Sequence, residues 1–352
     1  MNGYTPGALE DIKLVYASDV PLEAIEWIWP GWLARSKLHL IAGAPEAGKT
    51  TIALSFAAAI SSGNYWPDGT RAPGGKVLIW TSEDGIADTI VPRLTRMDAN
   101  LKNIAIVMQT RPLDGEPRPF NPATDMPSLA AKAQAMGGVS MLMLDPVVAA
   151  VPHTQNSHNN AETRSGLQPV VDFAAATGAA VLGITHFTKG TAGQDPIERV
   201  TGSLAFGALP RIVMAAAITK DPAPGDIPRV LVRAKSNIGP SGGGFGYDID
   251  AAPLYERPDI TATRIAWLDP IDGTAKELLG ETEPATDGEA TSKLAAAQAF
   301  LKEVLRNGER PQREIMAEAE NAGISEKTLR RAAKNTTGKR HAASGWYWWN
   351  LP

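Results

Sequence analysis

Gly43-Ala44-Pro45-Glu46-Ala47-Gly48-Lys49-Thr50-Thr51 sets two glycines, a lysine and two hydroxyls within one short turn. The spacing G-x-x-x-x-G-K-T is that of a phosphate-wrapping loop. Gly43 and Gly48 let the backbone curl so that successive N–H groups point inward at an anion. Lys49 can reach the outer phosphates, and the Thr50 hydroxyl can hold Mg²⁺. Three further groups suit the same chemistry. Glu83, in Thr81-Ser82-Glu83-Asp84, can orient and polarise an attacking water; the other reading of that acidic pair is as caps of the following helix, with Asp84 as helix start. Asp145 ends the apolar run Val139 to Leu144 and suits a carboxylate that meets Mg²⁺ through its water shell. His186 ends a second apolar run, where a donor can sense a terminal phosphate. Together these residues point to binding and hydrolysis of ATP.

Such groups need rigid elements to bring them together. Leu38 to Ala42 reads as a buried strand leading into the loop, and Ile52, Leu54, Phe56, Ala57 and Ile60 read as the helix leaving it. That helix presents its positive end to the anion. Val77 to Trp80, Ile104 to Met108, Val139 to Leu144, Ala179 to Ile184, Ile212 to Ile218 and Val230 to Lys235 read as further strands, alternating with helical stretches such as Ser128 to Met136 and Gly166 to Ala175. Alternation of this kind predicts an α/β fold with a mostly parallel central sheet flanked by helices, in which ligands gather at the carboxyl ends of strands. The polar stretch His153 to Arg164 reads as a loop facing a polymer or a neighbouring subunit. The glycine-rich segment 239–246 and a strand over Arg264 to Leu268 close the domain. Near the start, Trp27, Trp29 and Trp32 read as packing residues, with stacking on an adenine as the other reading.

The chain has 352 residues, 43% of them hydrophobic, which fits one large domain plus a small one. The boundaries read as an entry segment over 1–35, the phosphate-binding domain over 36–269, a linker over 270–291 and a small unit over 292–352. No apolar run reaches membrane-spanning length, no basic-then-apolar leader opens the chain, and there is no cysteine; a cytoplasmic location is expected. The net charge of −4 is uneven: from Lys327 onward there are basic residues and no acidic ones. The tail also reads as three short helices, over Lys293 to Arg306, Gln312 to Ala322 and Lys327 to Lys334, with a Gly323-Ile324-Ser325 turn and a final strand over Gly345 to Trp349. That pattern suggests a winged-helix or helix-turn-helix unit whose third helix meets DNA phosphates, or else a protein-binding unit of the same shape.

The order of these motifs carries a resemblance. Gly43 to Thr51, the Thr81-Ser82-Glu83-Asp84 strand end, Leu144-Asp145, Thr185-His186-Phe187-Thr188-Lys189-Gly190, Thr201-Gly202-Ser203 with Arg211, and Lys235-Ser236-Asn237-Ile238-Gly239 are collinear. Over roughly residues 20–270 the chain resembles the RepA-like, RecA-fold P-loop ATPases of plasmids and phages, relatives of the hexameric replicative helicases. The resemblance implies that Glu83 is the catalytic glutamate, Asp145 the Walker B aspartate and His186 the γ-phosphate sensor. It implies that Arg211 is an arginine finger acting on the neighbouring subunit's nucleotide, with Lys235 a second basic residue in trans. Lys235 is followed here by Ser236-Asn237 rather than by the Lys-x-Arg pattern of some relatives. It further implies a head-to-tail ring, likened to a hexamer, with ATP and Mg²⁺ between subunits and DNA in the channel, the loops after Asp145 and His186 facing it through Arg164 and Lys189. The resulting expectation is an ATP-driven DNA helicase or translocase. The alternative is an ATP-switched DNA-binding regulatory or assembly factor without unwinding activity.

Overall fold

The computed structural model describes residues 13–112, 115–152, 160–188, 197, 199–200, 204–219, 226–280, 297–306, 308–321, 324, 328–329, 332–333, 337–342 and 345–350. Two short strands come first, β1 (Trp27–Trp29) and β2 (Leu33–Ala34), paired antiparallel about a Pro-Gly turn. They are followed by β3 (Leu38–Gly43), α1 (Lys49–Ser62), β4 (Val77–Thr81), α2 (Val91–Arg96) and β5 (Ile104–Ile106). A small hairpin of β6 (Gln109–Thr110) and β7 (Arg118–Pro119) leads to α3 (Met126–Ala135) and β8 (Met141–Asp145). Then come α4 (Asn160–Thr177), β9 (Ala180–Ile184), α5 (Leu204–Ala208), β10 (Ile212–Ile218), β11 (Arg229–Ser236), β12 (Gly244–Pro253), β13 (Thr261–Ile271) and α6 (Ala275–Gly280).

A nine-stranded sheet runs in the order β13-β12-β11-β10-β3-β9-β8-β4-β5. From β10 to β5 all pairs are parallel; β11, β12 and β13 extend the other end antiparallel. β3, β8 and β9 are buried along their whole length. That is why they read as unbroken apolar runs rather than as alternating ones: a parallel strand covered on both faces has no wet side. Two apolar layers fill the faces. One lies under α1 and includes Ile52, Phe56 and Ile60; the other lies under α3 and α4 and includes Leu129, Leu167 and Phe173. β9 lies between the P-loop strand β3 and the Asp145 strand β8, so the carboxyl ends of β3, β9, β8 and β4 form one continuous row. This is the RecA-like α/β arrangement, mostly parallel and flanked by helices.

Several expectations are corrected. The polar loop anticipated over 153–164 already turns helical at Asn160, where α4 begins; residues 153–159 lie outside the described residues. The closing segment is not a glycine loop with one strand. It is a long antiparallel hairpin, with Gly244↔Ile271 at one end of its register and Pro253↔Thr261 at the other. Its alternating apolar and polar residues belong to strands with one wet face, unlike the central ones. The tryptophans near the start, by contrast, pack as expected, Trp29 and Trp32 in the core and Trp27 against it. Trp29 is fully buried, stacks on Trp66 with centroids 4.9 Å apart and on Trp32 at 5.0 Å, and donates Nε1–H to Asp68 Oδ2 at 2.8 Å. Each such ring removes roughly 150–250 Å² from water, about 4–6 kcal/mol of transfer free energy before entropy is counted.

Of the tail, residues 297–304 are helical (α7), followed by β14 (Arg310–Pro311), α8 (Gln312–Asn321), helical residues at 328–329 and 332–333, β15 (Thr337–Ala342) and β16 (Gly345–Asn350). These strands form a separate sheet in the order β14-β16-β15. Ala297, Leu301, Leu305, Ile315, Ala319, Leu329, Ala332 and Ala333 form its own apolar core. The expected DNA-facing residues Lys327, Arg330, Arg331 and Lys334 lie outside the described residues, as do Lys189, Thr201, Gly202, Ser203 and the linker residues 281–291.

Candidate functional site

The phosphate loop sits where β3 hands over to α1. Gly48 has φ of 77°, a left-handed conformation that a side chain resists, and it is the residue from which α1 starts. Gly43 is needed for space: a Cβ there would lie 2.2 Å from the Ala216 carbonyl oxygen of β10. α1 is fourteen residues long, and its axis delivers the positive end of the helix to the turn.

A cleft of about 400 Å³ opens over this turn, bordered by Gly48, Lys49, Thr50, Glu83, Asp145 and His186. Ala47, in the turn itself, is fully buried, and Thr51 also borders the cleft. The Lys49 ammonium is buried and donates to the Ala44 carbonyl at 2.8 Å. Burial lowers its pKa to about 8, while the nearby Asp145 and Glu83 carboxylates oppose that shift. A phosphate would supply the charge that this cation lacks. Thr50 Oγ1 donates to Asp145 Oδ2 at 2.8 Å. Burial pushes the Asp145 carboxyl up to about 6; the Thr50 hydrogen bond and Lys49 pull it down, and Glu83 and Asp84 push it further up. The pair fits Mg²⁺: an adjacent hydroxyl and carboxylate, facing a phosphate loop, supply hard oxygen donors and leave room for phosphate and water oxygens. No group of three or more His, Cys, Asp or Glu able to hold a metal exists among the described residues.

Glu83 is positioned by the turn after β4. Thr81 pairs across the sheet with Asp145, and its hydroxyl accepts from the Glu83 and Asp84 amides at 3.2 and 3.3 Å. This folds the chain back so that Glu83 faces the cleft, with no side-chain ion pair among the described residues. Asp84, expected as the start of the next helix, takes a different role. Its carboxylate meets the Arg93 guanidinium at 3.0 Å, and the following turn starts at Ile86 after Gly85 with no side-chain cap. His186 is fixed between Thr185, whose amide donates to Ile41 O at 3.0 Å, and Phe187, whose amide donates to Gly43 O at 3.2 Å. Burial and the Lys49 charge lower the imidazole's pKa, with Glu83 opposing.

Arg211 and Lys235 are not brought to this cleft. Arg211 precedes β10 and its amide donates to the Leu38 carbonyl at 2.8 Å, at the amino end of β3. Lys235 pairs with Val213 in register, and its ammonium donates to the Gly207 and Ala208 carbonyls at 2.7 and 3.1 Å, at the end of α5. Both therefore lie at the edge of the sheet opposite the phosphate loop. Arg211 is exposed there.

Four contributors carry no signal of a site role in the sequence. The buried Tyr247 hydroxyl donates to the Ala47 carbonyl inside the loop, and Ile249 lies against Gly48. Burial pushes that hydroxyl's pKa up, so it stays a donor. Thr263 of β13 and Arg93 also border the cleft. The signal for β12 was present as alternation in Phe245, Tyr247 and Ile249 around Gly246, Asp248 and Asp250; nothing local marks Arg93.

The AAA domain family matches residues 6–192. A solved KaiC-like protein from the hyperthermophilic archaeon Pyrococcus horikoshii is similar at 15% identity and a TM-score of 0.46, over 69% of this chain and 99% of that one. Among curated proteins, none matches the chain.

Proposed function

The chain belongs to the AAA domain family of P-loop ATPases, and from that premise we propose that it is an ATP-hydrolysing DNA helicase or translocase of the RepA-like class, acting as a head-to-tail ring. The observation carrying this reading is the split between the two edges of the sheet. Lys49, Thr50, Glu83, Asp145 and His186 converge on one cleft, while Arg211 stands exposed at the opposite edge. A guanidinium placed there serves no phosphate of its own subunit. In a head-to-tail assembly it faces the next subunit's cleft.

The chain's own residues would then divide the work. The loop amides and Lys49 bind the phosphates and hold the terminal one in place. Thr50 and Asp145 would hold Mg²⁺, which would offset phosphate charge there. Glu83 accepts a proton from the water that attacks the terminal phosphorus, as the bond to the ADP oxygen breaks. His186, neutral at pH 7, can donate a hydrogen bond to a terminal phosphate oxygen, and Arg211 of the adjacent copy supplies positive charge as the transition state forms.

A second reading has its own support. The tail runs helix, strand, helix, helical residues, strand, strand, with the sheet order β14-β16-β15, as a winged-helix unit does. That favours an ATP-switched factor binding duplex DNA without unwinding it. One pair of measurements separates the two: ATP turnover with and without single-stranded DNA, and light scattering with and without nucleotide. DNA-stimulated turnover in a ring-sized particle supports the motor. Flat turnover with tight duplex binding would replace it with the switch.

A further inference from the structure

The Lys235 ammonium spends its donors inside its own chain. Its Nζ donates to the carbonyls of Gly207 at 2.7 Å, Ala208 at 3.1 Å and Pro210 at 3.4 Å. An ammonium carries three N–H groups and no more, so none is left for a phosphate. The acceptors are the last residues of α5 and the turn that follows it. Carbonyls at a helix C-terminus lack intrahelical partners, and a cation placed there also meets the negative end of the helix. Burial, and then the nearby Arg211 charge, lower the Lys235 pKa.

A break in β11 delivers the ammonium to that place. Met214 pairs with Arg233 and Val213 with Lys235, so the register slips and Ala234 is the extra residue of a bulge. On a regular strand Arg233 and Lys235, two residues apart, would share a face. Here they part. The Arg233 guanidinium lies over the Trp32 ring at 4.7 Å, in the layer under α1. Lys235 reaches α5 instead, whose Phe206 belongs to the layer under α3 and α4.

The residue that follows those carbonyls is Arg211. Its amide donates to the Leu38 carbonyl at 2.8 Å, and its carbonyl accepts from the Asn237 amide at 2.9 Å. The end of β11 and the residue after it therefore grip this segment twice, through the Lys235 side chain before Arg211 and through the Asn237 backbone at it. The exposed Arg211 side chain starts from a backbone that is fixed on both sides.

We propose that Lys235 is a positioning residue, holding the segment from Gly207 to Arg211 within its own subunit so that the Arg211 guanidinium is presented in one direction to the neighbouring copy's nucleotide. This departs from the role in trans that the family resemblance implies for Lys235, and it rests on the proposed arginine finger.

The test reads the free chain and the assembled ATPase side by side. Lys235→Met keeps an unbranched side chain and removes every donor. Without nucleotide, hydrogen–deuterium exchange at the Leu209, Arg211 and Asn237 amides should quicken roughly five-fold or more, with β3, β8 and β9 unchanged. A lysine acting only on a neighbour's nucleotide would leave that exchange as it is. In turnover, kcat should fall about 10- to 10²-fold with KM for ATP nearly unchanged, the loss expected for a displaced group. The Arg211→Ala/Lys235→Met double variant should be no slower than Arg211→Ala, because nothing remains to be positioned. Two results would overturn the proposal: parent-like exchange in Lys235→Met, or a double variant slower than Arg211→Ala by the full Lys235→Met factor, which would make Lys235 a separate charge on the nucleotide. Arg211→Ala alone reports on the finger. Full turnover in that variant removes the finger and with it the purpose assigned to Lys235; lost turnover there, beside parent-like exchange in Lys235→Met, removes the positioning role alone. Each variant's unfolding transition should match the parent's. Should Lys235→Met fail to fold, Lys235→Gln, which keeps two donors, is read in its place.

Discussion

The two edges of the central sheet differ in what they gather. At the carboxyl edge, five reactive groups from four elements meet in one cleft, and most of them are fixed by bonds already made: Lys49 to Ala44, Thr50 to Asp145, and His186 between two strand-extending amides. At the amino edge, Arg211 just before β10 and Lys235 on β11 have no phosphate loop near them. The carboxyl edge is organised to bind; at the amino edge Arg211 is exposed and the Lys235 ammonium is spent on the Gly207 and Ala208 carbonyls. On the proposed reading, a half-site of each kind on one chain would make hydrolysis a property of a pair of chains.

That contrast can be broken most forcefully by mixing. Arg211→Ala should lower turnover about 10³-fold while leaving nucleotide affinity nearly unchanged, the effect of losing an arginine finger. Glu83→Gln should cost about 10²-fold or more with binding retained. Combining the two inactive proteins should restore measurable ATP hydrolysis, because interfaces pairing the Arg211→Ala cleft with the Glu83→Gln arginine are intact. If mixing restores nothing, Arg211 does not act across a subunit boundary.

A smaller effect sharpens the carboxyl side. Tyr247→Phe removes only the hydroxyl that holds the Ala47 carbonyl. It should raise KM for ATP roughly three- to ten-fold, the cost of about 1 kcal/mol for one hydrogen bond, with less change in kcat. An equal fall in both would mean that the hydroxyl does more than shape the loop. Steady-state kinetics across ATP concentrations checks this.

The smallest expected effect on activity, though not on stability, concerns His39 in β3. It is fully buried; its Nε2 accepts from the Ala34 amide at 3.0 Å and its Nδ1 lies 3.4 Å from the Val181 carbonyl. Burial lowers its pKa to about 4. The unfolded chain therefore takes up a proton near pH 6.5 that the folded chain refuses, so this contribution is intact above pH 6.5 and is lost as pH falls toward 4. The loss is about 3 kcal/mol. Asp145, whose pKa is raised to about 6, works in the opposite direction over much of that range. The clean readout is thus a difference: the unfolding free energy of the parent minus that of His39→Gln should fall between pH 6.5 and 4 in urea titrations. A difference that stays level would show that His39 titrates normally.

The sequence announced the carboxyl edge well because its parts are local. A glycine turn with a lysine, and apolar runs that end in a single polar residue, need only their neighbours to be read. Buried parallel strands also announce themselves, since β3, β8 and β9 have no wet face to interrupt them. The antiparallel extension was less legible. Tyr247 acts on a loop 200 residues away, and no spacing rule spans that separation. Asp84 reads as a cap because acids commonly start helices; its Arg93 partner, nine positions on, only comes close once the turn after β4 forms. The tryptophans could be read as packing, but not that Trp29 would be pinned between Trp32 and Trp66 with its N–H on Asp68.

The seating of Tyr247 on Ala47 also bears on how the protein is made. During synthesis the phosphate loop emerges among the first fifty residues, yet its floor is a strand from the second half of the chain, and β10, which lies against Gly43, also comes late. The contacts that support the loop's glycines, from Ala216 of β10 and Tyr247 and Ile249 of β12, can form only after those later strands have been made. Nucleotide grasp is among the last properties the body acquires, and a nascent chain halted before residue 244 should hold its phosphate loop but no working nucleotide site. Long-range closure of this kind is slow to fold.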